Sequence, residues 1–261
     1  MTSENKIQQL IDRLPVAFFN YVVGRDDFAD GAEDNPIDLT DVIMNPAFDA
    51  RNANYWTITA AETSEDGKIG TNQGYQGSSY ENEDIIISQF IEAWRKSAAT
   101  DEELVTLDDG TISQTLNGVL PKGYYRLEMD GYATNQAGVP EEGITGVELY
   151  AEVGGNAFST PIGIAESVGK PRHFVCDFYS DGTNPATIGI KVSGTNASWL
   201  AADNFQLSYI GQETPVAVEG LADVADAPAT VFNIAGMRVR AAQKGLNIIV
   251  RDGKAQKVLV K

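Results

Sequence analysis

Between about residues 38 and 212 the apolar residues recur at every second position. Tyr125, Leu127 and Met129 alternate with Arg126, Glu128 and Asp130, and Val147, Leu149, Ala151 and Val153 alternate with Glu148, Tyr150 and Glu152. The same period runs through Ile188, Ile190 and Val192, and through Phe205, Leu207 and Tyr209. Successive side chains of an extended strand point to opposite faces, so this pattern gives each strand one apolar and one wet face. Several such stretches, separated by Gly, Pro and Asn clusters with no long helical pattern between them, predict an all-β antiparallel sandwich.

The two ends depart from that pattern. Ile7, Leu10, Ile11 and Leu14 lie at helical spacing and predict a short amphipathic helix that Pro15 stops. The apolar run from Val16 to Val23 then needs a cover, and the acidic stretch 24–38 reads as a linker. At the other end, short alternating strands broken by Ala235-Gly236 and Asp252-Gly253 predict a small antiparallel β unit, because Xaa-Gly pairs supply the positive φ of tight hairpins. The expected organisation is a helix and linker at 1–37, a sandwich at 38–212, a linker at 213–228 and a small β-domain at 229–261.

Charge is divided unevenly between these parts. The chain carries 19 Lys+Arg against 37 Asp+Glu. Residues 229–261 hold seven bases and one acid, which leaves twelve bases against thirty-six acids in the remainder, a net charge of −24. Such a body repels nucleic acid and anionic lipid, which excludes both as expected partners. The basic tail reads as a solvated sheet face, or as a dock for the acidic body or for an anionic cell-envelope component. No stretch approaches 18 apolar residues in a row, so no membrane span is expected. The opening residues lack the pattern of a signal peptide, which fits a cytosolic protein or a chain that begins at a mature or truncated end.

Catalytic signals are sparse. Phosphate-binding glycine loops, H-E-x-x-H and Cys/His zinc spacings are missing from the sequence. Cys176 is the one cysteine, and it shares a strand face with Phe174 and Phe178, which reads as a buried, inert thiol. His173, the one histidine, falls on the opposite face of that strand and reads as structural. With 37 acids, chance carboxylate pairs are common and none stands out.

Four stretches bear a closer reading: Asn45-Pro-Ala-Phe-Asp49 followed by Tyr55-Trp56-Thr57; Ile112-Ser-Gln-Thr-Leu-Asn-Gly118; Leu120-Pro-Lys-Gly-Tyr-Tyr-Arg-Leu127; and Trp199-Leu-Ala-Ala-Asp-Asn-Phe-Gln-Leu207. Pro121 and Gly123 make a turn, Gln114 is expected to be a satisfied core amide, and Trp56 reads as core rather than sugar platform. In order and spacing the four stretches resemble the galactose-binding-like jelly rolls that include many carbohydrate-binding modules. That resemblance implies a structural calcium held by Asp49 and Asp203 with backbone carbonyls, calcium being a cation for hard oxygen ligands. Read on their own, the two aspartates are turn caps. The tail, with Ala-Thr-Val-Phe-Asn-Ile-Ala-Gly-Met-Arg-Val-Arg at 229–240, Lys244-Gly245-Leu246 and Asp252-Gly253-Lys254, resembles the C-terminal sorting-type domains of proteins exported to the surface of polysaccharide-degrading Gram-negative anaerobes. This implies a secreted or cell-surface location.

For ligand contact, Tyr75, Tyr80, Trp94 and Arg95 form the candidate patch, since exposed rings stack on pyranose faces while neighbouring polar groups bond hydroxyls. The alternative for Trp94 is packing against the sandwich together with Ile85, Ile86, Ile87, Phe90 and Ile91. The expected function is non-catalytic recognition of a polysaccharide or oligosaccharide. A structural or adhesion module for a protein partner stands second, and a glycoside-processing enzyme third.

Overall fold

The computed structural model describes residues 3–48, 52–60, 69–71, 80–94, 106–135, 143–163, 170–212, 230–233, 238–239, 245–251 and 254–260. The chain falls into two compact units, Met1–Glu213 and Thr214–Lys261. In the first, helix α1 (Ser3–Val23) precedes strands β1 (Ile37–Asp38), β2 (Thr57–Ala60), β3 (Ile69–Thr71), β4 (Tyr80–Asn82), β5 (Ile85–Ile87) and β6 (Ile91–Trp94). There follow β7 (Gly110–Thr115), β8 (Gly123–Thr134), β9 (Val147–Val153), β10 (Asn156–Pro161), β11 (Arg172–Ser180), β12 (Ala186–Val192) and β13 (Trp199–Gly211). The second unit contributes β14 (Thr230–Asn233), β15 (Arg238–Val239), β16 (Gly245–Arg251) and β17 (Lys254–Val260).

Two antiparallel sheets make the jelly-roll sandwich of the first unit. One runs β11-β8-β13-β6-β3, with β1 also on β13, and the other runs β10-β9-β12-β7-β2. The period-two pattern sets which side faces in. Tyr125, Leu127 and Met129 of β8 and Leu207 and Tyr209 of β13 share one buried cluster with Ile112 of β7, Leu149 and Ala151 of β9, and Ile188 and Ile190 of β12. Each large side chain so buried contributes about 1.5–3 kcal/mol relative to exposure.

The special residues of the sequence take the places their chemistry requires. The two ends of the Gln114 amide close a ring on Met44: the Met44 N–H donates to Oε1 and Nε2 donates to the Met44 carbonyl, both at 2.8 Å. Trp56 is buried between Phe48 and Phe205, and its indole N–H donates to the Asn45 carbonyl at 3.1 Å. Phe48 holds a φ of 49°, a conformation that costs a bulky residue energy and that this aromatic packing fixes. At the turn before β8, Gly123 has a φ of 148°, and a Cβ there would meet the Tyr209 ring at 2.6 Å. The Tyr125 hydroxyl reaches back to the Pro121 carbonyl at 2.7 Å and closes the same turn.

The N-terminal part differs from its sequence reading in two respects. The helix does not stop at Pro15 but runs through it to Val23. An interior proline costs about 3 kcal/mol. Burial of Phe19 and Val22 against the sandwich offsets this, at about 1.5–3 kcal/mol each. The face that sequence periodicity assigns to the core is in part outside: Ile7 is 58% and Leu14 69% exposed. The acidic stretch 24–38 is not an extended tether either. Phe28 is buried and stacks on Tyr209 at 4.3 Å between ring centroids, and Ile37 and Asp38 pair with Tyr209 and Ser208. A short hydrophobic insert thus pins an acidic segment onto the edge of β13.

The second unit is a four-stranded antiparallel sheet in the order β15-β14-β16-β17. Arg251 of β16 and Lys254 of β17 are directly paired.

Candidate functional site

The register of β8 against β11 builds a ladder of side chains on the outer face of its sheet. Because Tyr125, Leu127 and Met129 face the core, Tyr124, Arg126, Glu128 and Asp130 must face outward. Their Cα partners on β11 are Tyr179, Asp177, Val175 and His173, in that order. Four rungs about 7 Å apart follow from two residues of strand rise per rung.

The side chains interact along and across the rungs. The Tyr124 and Tyr179 rings lie 5.0 Å apart at 55°. Asp177 takes both arms of the Arg126 guanidinium, at 2.8 and 2.9 Å, and Glu33 from the docked acidic segment approaches the same group at 3.6 Å. The Asp177 hydrogen bond raises the Arg126 pKa further above its already high value, against the opposing effect of burial. His173 is held between two carboxylates, with Nδ1 2.9 Å from Asp130 and Nε2 2.9 Å from Glu128. Burial acts to lower its pKa, but the hydrogen bonds and charges of Asp130 and Glu128 outweigh it and leave the pKa raised. The other Asp130 oxygen accepts from Asn204 Nδ2 at 3.1 Å.

Beyond Asp130 the outer face is covered. Ile87 of the β4–β5 hairpin and Phe90, just before β6, lie on Tyr132, Trp199 and Ala201, with Tyr80 packed against them. Asn204 Nδ2 donates to the Ile86 carbonyl and the Ser88 N–H donates to Asp203, so polar bonds fasten the same cover. Glu92 accepts the Trp199 indole N–H at 3.0 Å, and desolvation pushes its carboxyl pKa up.

At the other end of the ladder a cleft of about 550 Å³ opens where the β9–β10 turn meets the end of β11. Val153, Gly155, Asn156, Ala157, Phe158, Tyr179 and Asp181 line it, so Tyr179 belongs to both the ladder and the cleft. Asp181 accepts from the Thr183 and Asn184 N–H groups and from Asn184 Nδ2, and these bonds hold its carboxyl far below the usual range. Gly155 has a φ of 83° and open space where a Cβ would stand, which leaves that rim low.

The residues singled out from sequence fall differently. Tyr80 is not an exposed platform but packs within 6 Å of Phe90, Tyr132 and Trp199 ring centroids, at 5.7, 5.8 and 5.4 Å. Trp94 is placed by its backbone, paired with Trp199 at the end of β6. Tyr75, Arg95 and Asp49 lie outside the described residues. Asp203 is buried, with one oxygen taking the Asn204 N–H at 2.8 Å and the other the Ser88 N–H at 3.2 Å. Among the described residues no group of three or more His, Cys, Asp and Glu side chains could hold a metal ion. Tyr124 and Tyr179 are the residues sequence reading missed. The signal lay in the complement of the core pattern: once Tyr125 and Phe178 are assigned inward, their neighbours Tyr124 and Tyr179 must face out on adjacent strands.

The thiol of Cys176 is buried, and desolvation pushes its pKa up to about 11, which leaves it a packed apolar group. No helix among the described residues is long and apolar enough to cross a membrane.

No protein-family model matches the chain, and no curated relative does. Among solved structures it is similar to a cyclase from Fischerella sp. TAU, at 17% identity and a TM-score of 0.46 over 66% of this chain and 97% of that one. It is also similar to TmCBM61 in complex with beta-1,4-galactotriose, at 18% identity and a TM-score of 0.38 over 64% and 96%. A third likeness is to the enzymatically active domain of tailspike protein 4 of bacteriophage CBA120, at 17% identity and 0.42, over 65% of this chain and 21% of that one. The functional reading therefore rests on the geometry of this chain.

Proposed function

We propose that the protein recognises a glycan without transforming it, and that the site is the open half of the outer sheet face together with the cleft beside Tyr179. The observation that carries this reading is the Tyr124–Tyr179 pair, standing next to a cleft of about 550 Å³ whose polar groups are already fixed in position. Pyranose rings offer small apolar faces and many hydroxyls. Aromatic rings take the former, and pre-oriented carboxylates and amides such as Asp181 and Asn156 take the latter at little cost in ordering. On this reading the protein works outside the cell, and the C-terminal unit serves as its export address and basic contact to the envelope.

The test is a panel of oligosaccharides against the purified protein, followed by Tyr179→Ala. The variant is expected to lose at least about tenfold in affinity, equivalent to about 1.4 kcal/mol, with its melting temperature nearly unchanged. A parent that binds nothing on the panel defeats the reading. A module for a protein partner is the second reading, favoured by the apolar side chains that α1 leaves in water: Ile7, Leu14 and Tyr21 are 58%, 69% and 76% exposed.

A further inference from the structure

The charges on the ladder restrict what kind of glycan can lie there. Among the described residues, the outward positions of the β8–β11 ladder hold two cationic side chains, Arg126 and His173, and both are already engaged. The Arg126 fork is the group best shaped to hold a carboxylate or sulfate, since two parallel N–H donors match two oxygens. Asp177 occupies that fork at 2.8 and 2.9 Å, and Glu33 adds a second negative charge at 3.6 Å. His173 has a carboxylate on each ring nitrogen. Four carboxylates thus surround two cations, and Asp181 in the adjoining cleft is a fifth anion whose partners are neutral N–H groups. Among the described residues of this strip, an anionic sugar would meet a surplus of negative charge and a guanidinium fork already filled by Asp177.

We infer that the ligand of this site is an uncharged sugar chain, and that the Asp177–Arg126 pair is what excludes uronate-bearing and sulfated ones. This rests on the carbohydrate reading given above. It turns the pair from a structural rung into a specificity determinant: the internal carboxylate is in the place a ligand carboxylate would take.

The experiment compares neutral and uronate-bearing oligosaccharides of equal length by calorimetry, on the parent, on Asp177→Asn and on Glu33→Gln. The parent is expected to bind the neutral chain at least about tenfold more tightly than the uronate chain, and that affinity should change little with salt, since few ions are released or screened. Asp177→Asn, near-isosteric at an exposed position, frees the guanidinium and should raise the uronate-to-neutral affinity ratio by about tenfold or more; Glu33→Gln should raise it less. Equal binding of both chains by the parent overturns the inference while leaving glycan recognition standing, as does an unmoved ratio in both variants. Binding of neither chain overturns the carbohydrate reading and this inference with it.

Discussion

His173 is where one proton decides an interaction. A doubly protonated imidazole donates from both nitrogens, to Asp130 and to Glu128, whereas the neutral ring has one N–H and must leave one carboxylate facing a lone pair. Its folded pKa is raised, so the clamp stabilises the fold fully below the ordinary histidine pKa of about 6.5 and loses that contribution as pH climbs through the folded value. The melting temperature of the parent should therefore exceed that of His173→Ala by more at pH 6 than at pH 9. A difference that stays constant or grows with pH would show that the imidazole acts there as a neutral group. The side chain is 39% exposed, so the effect belongs to the modest class of solvent-screened pairs.

Among elements, the strands were the legible part of the sequence. β8, β9, β12 and β13 alternate so strictly that strand type and inward face follow from pattern alone, and Gln114, Trp56 and Gly123 could be placed because a buried amide, a large ring and a strained turn each have few solutions. The N-terminal helix was legible only as a helix. Its length was hidden because tertiary burial of Phe19 outweighs the local veto of Pro15, and no window of sequence shows what a side chain will meet. The ladder was hidden for a related reason. Tyr124 and Tyr179 are 55 residues apart, and only the β8–β11 register, not the spacing in either strand, brings them side by side. That α1 is part of the body can be measured. Phe19 is 1% exposed and lies so close to Gly118 that a Cβ there would approach its ring at 2.4 Å. Phe19→Ala is expected to cost about 3–5 kcal/mol in denaturant unfolding. A cost below 1 kcal/mol would mean that the helix contributes little to the sandwich.

At the scale of the molecule, the chain divides into two compact units, Met1–Glu213 and Thr214–Lys261. The sandwich closes its own core between its two sheets, so a chain ending at Glu213 should melt cooperatively with the parent's β-sheet signature. Aggregation of that shorter chain would show that the C-terminal unit is needed to complete it. Cooperative opening of the sandwich also carries its own internal clock. Cys176 is the chain's one sulfhydryl and is sealed on β11 at 2% exposure, so an alkylating reagent in the solvent finds its target only in molecules that have come apart around it. The rate at which the intact protein acquires a single label would then count breathing events of the sheet that carries the tyrosine ladder, and a ligand that grips the ladder would slow it.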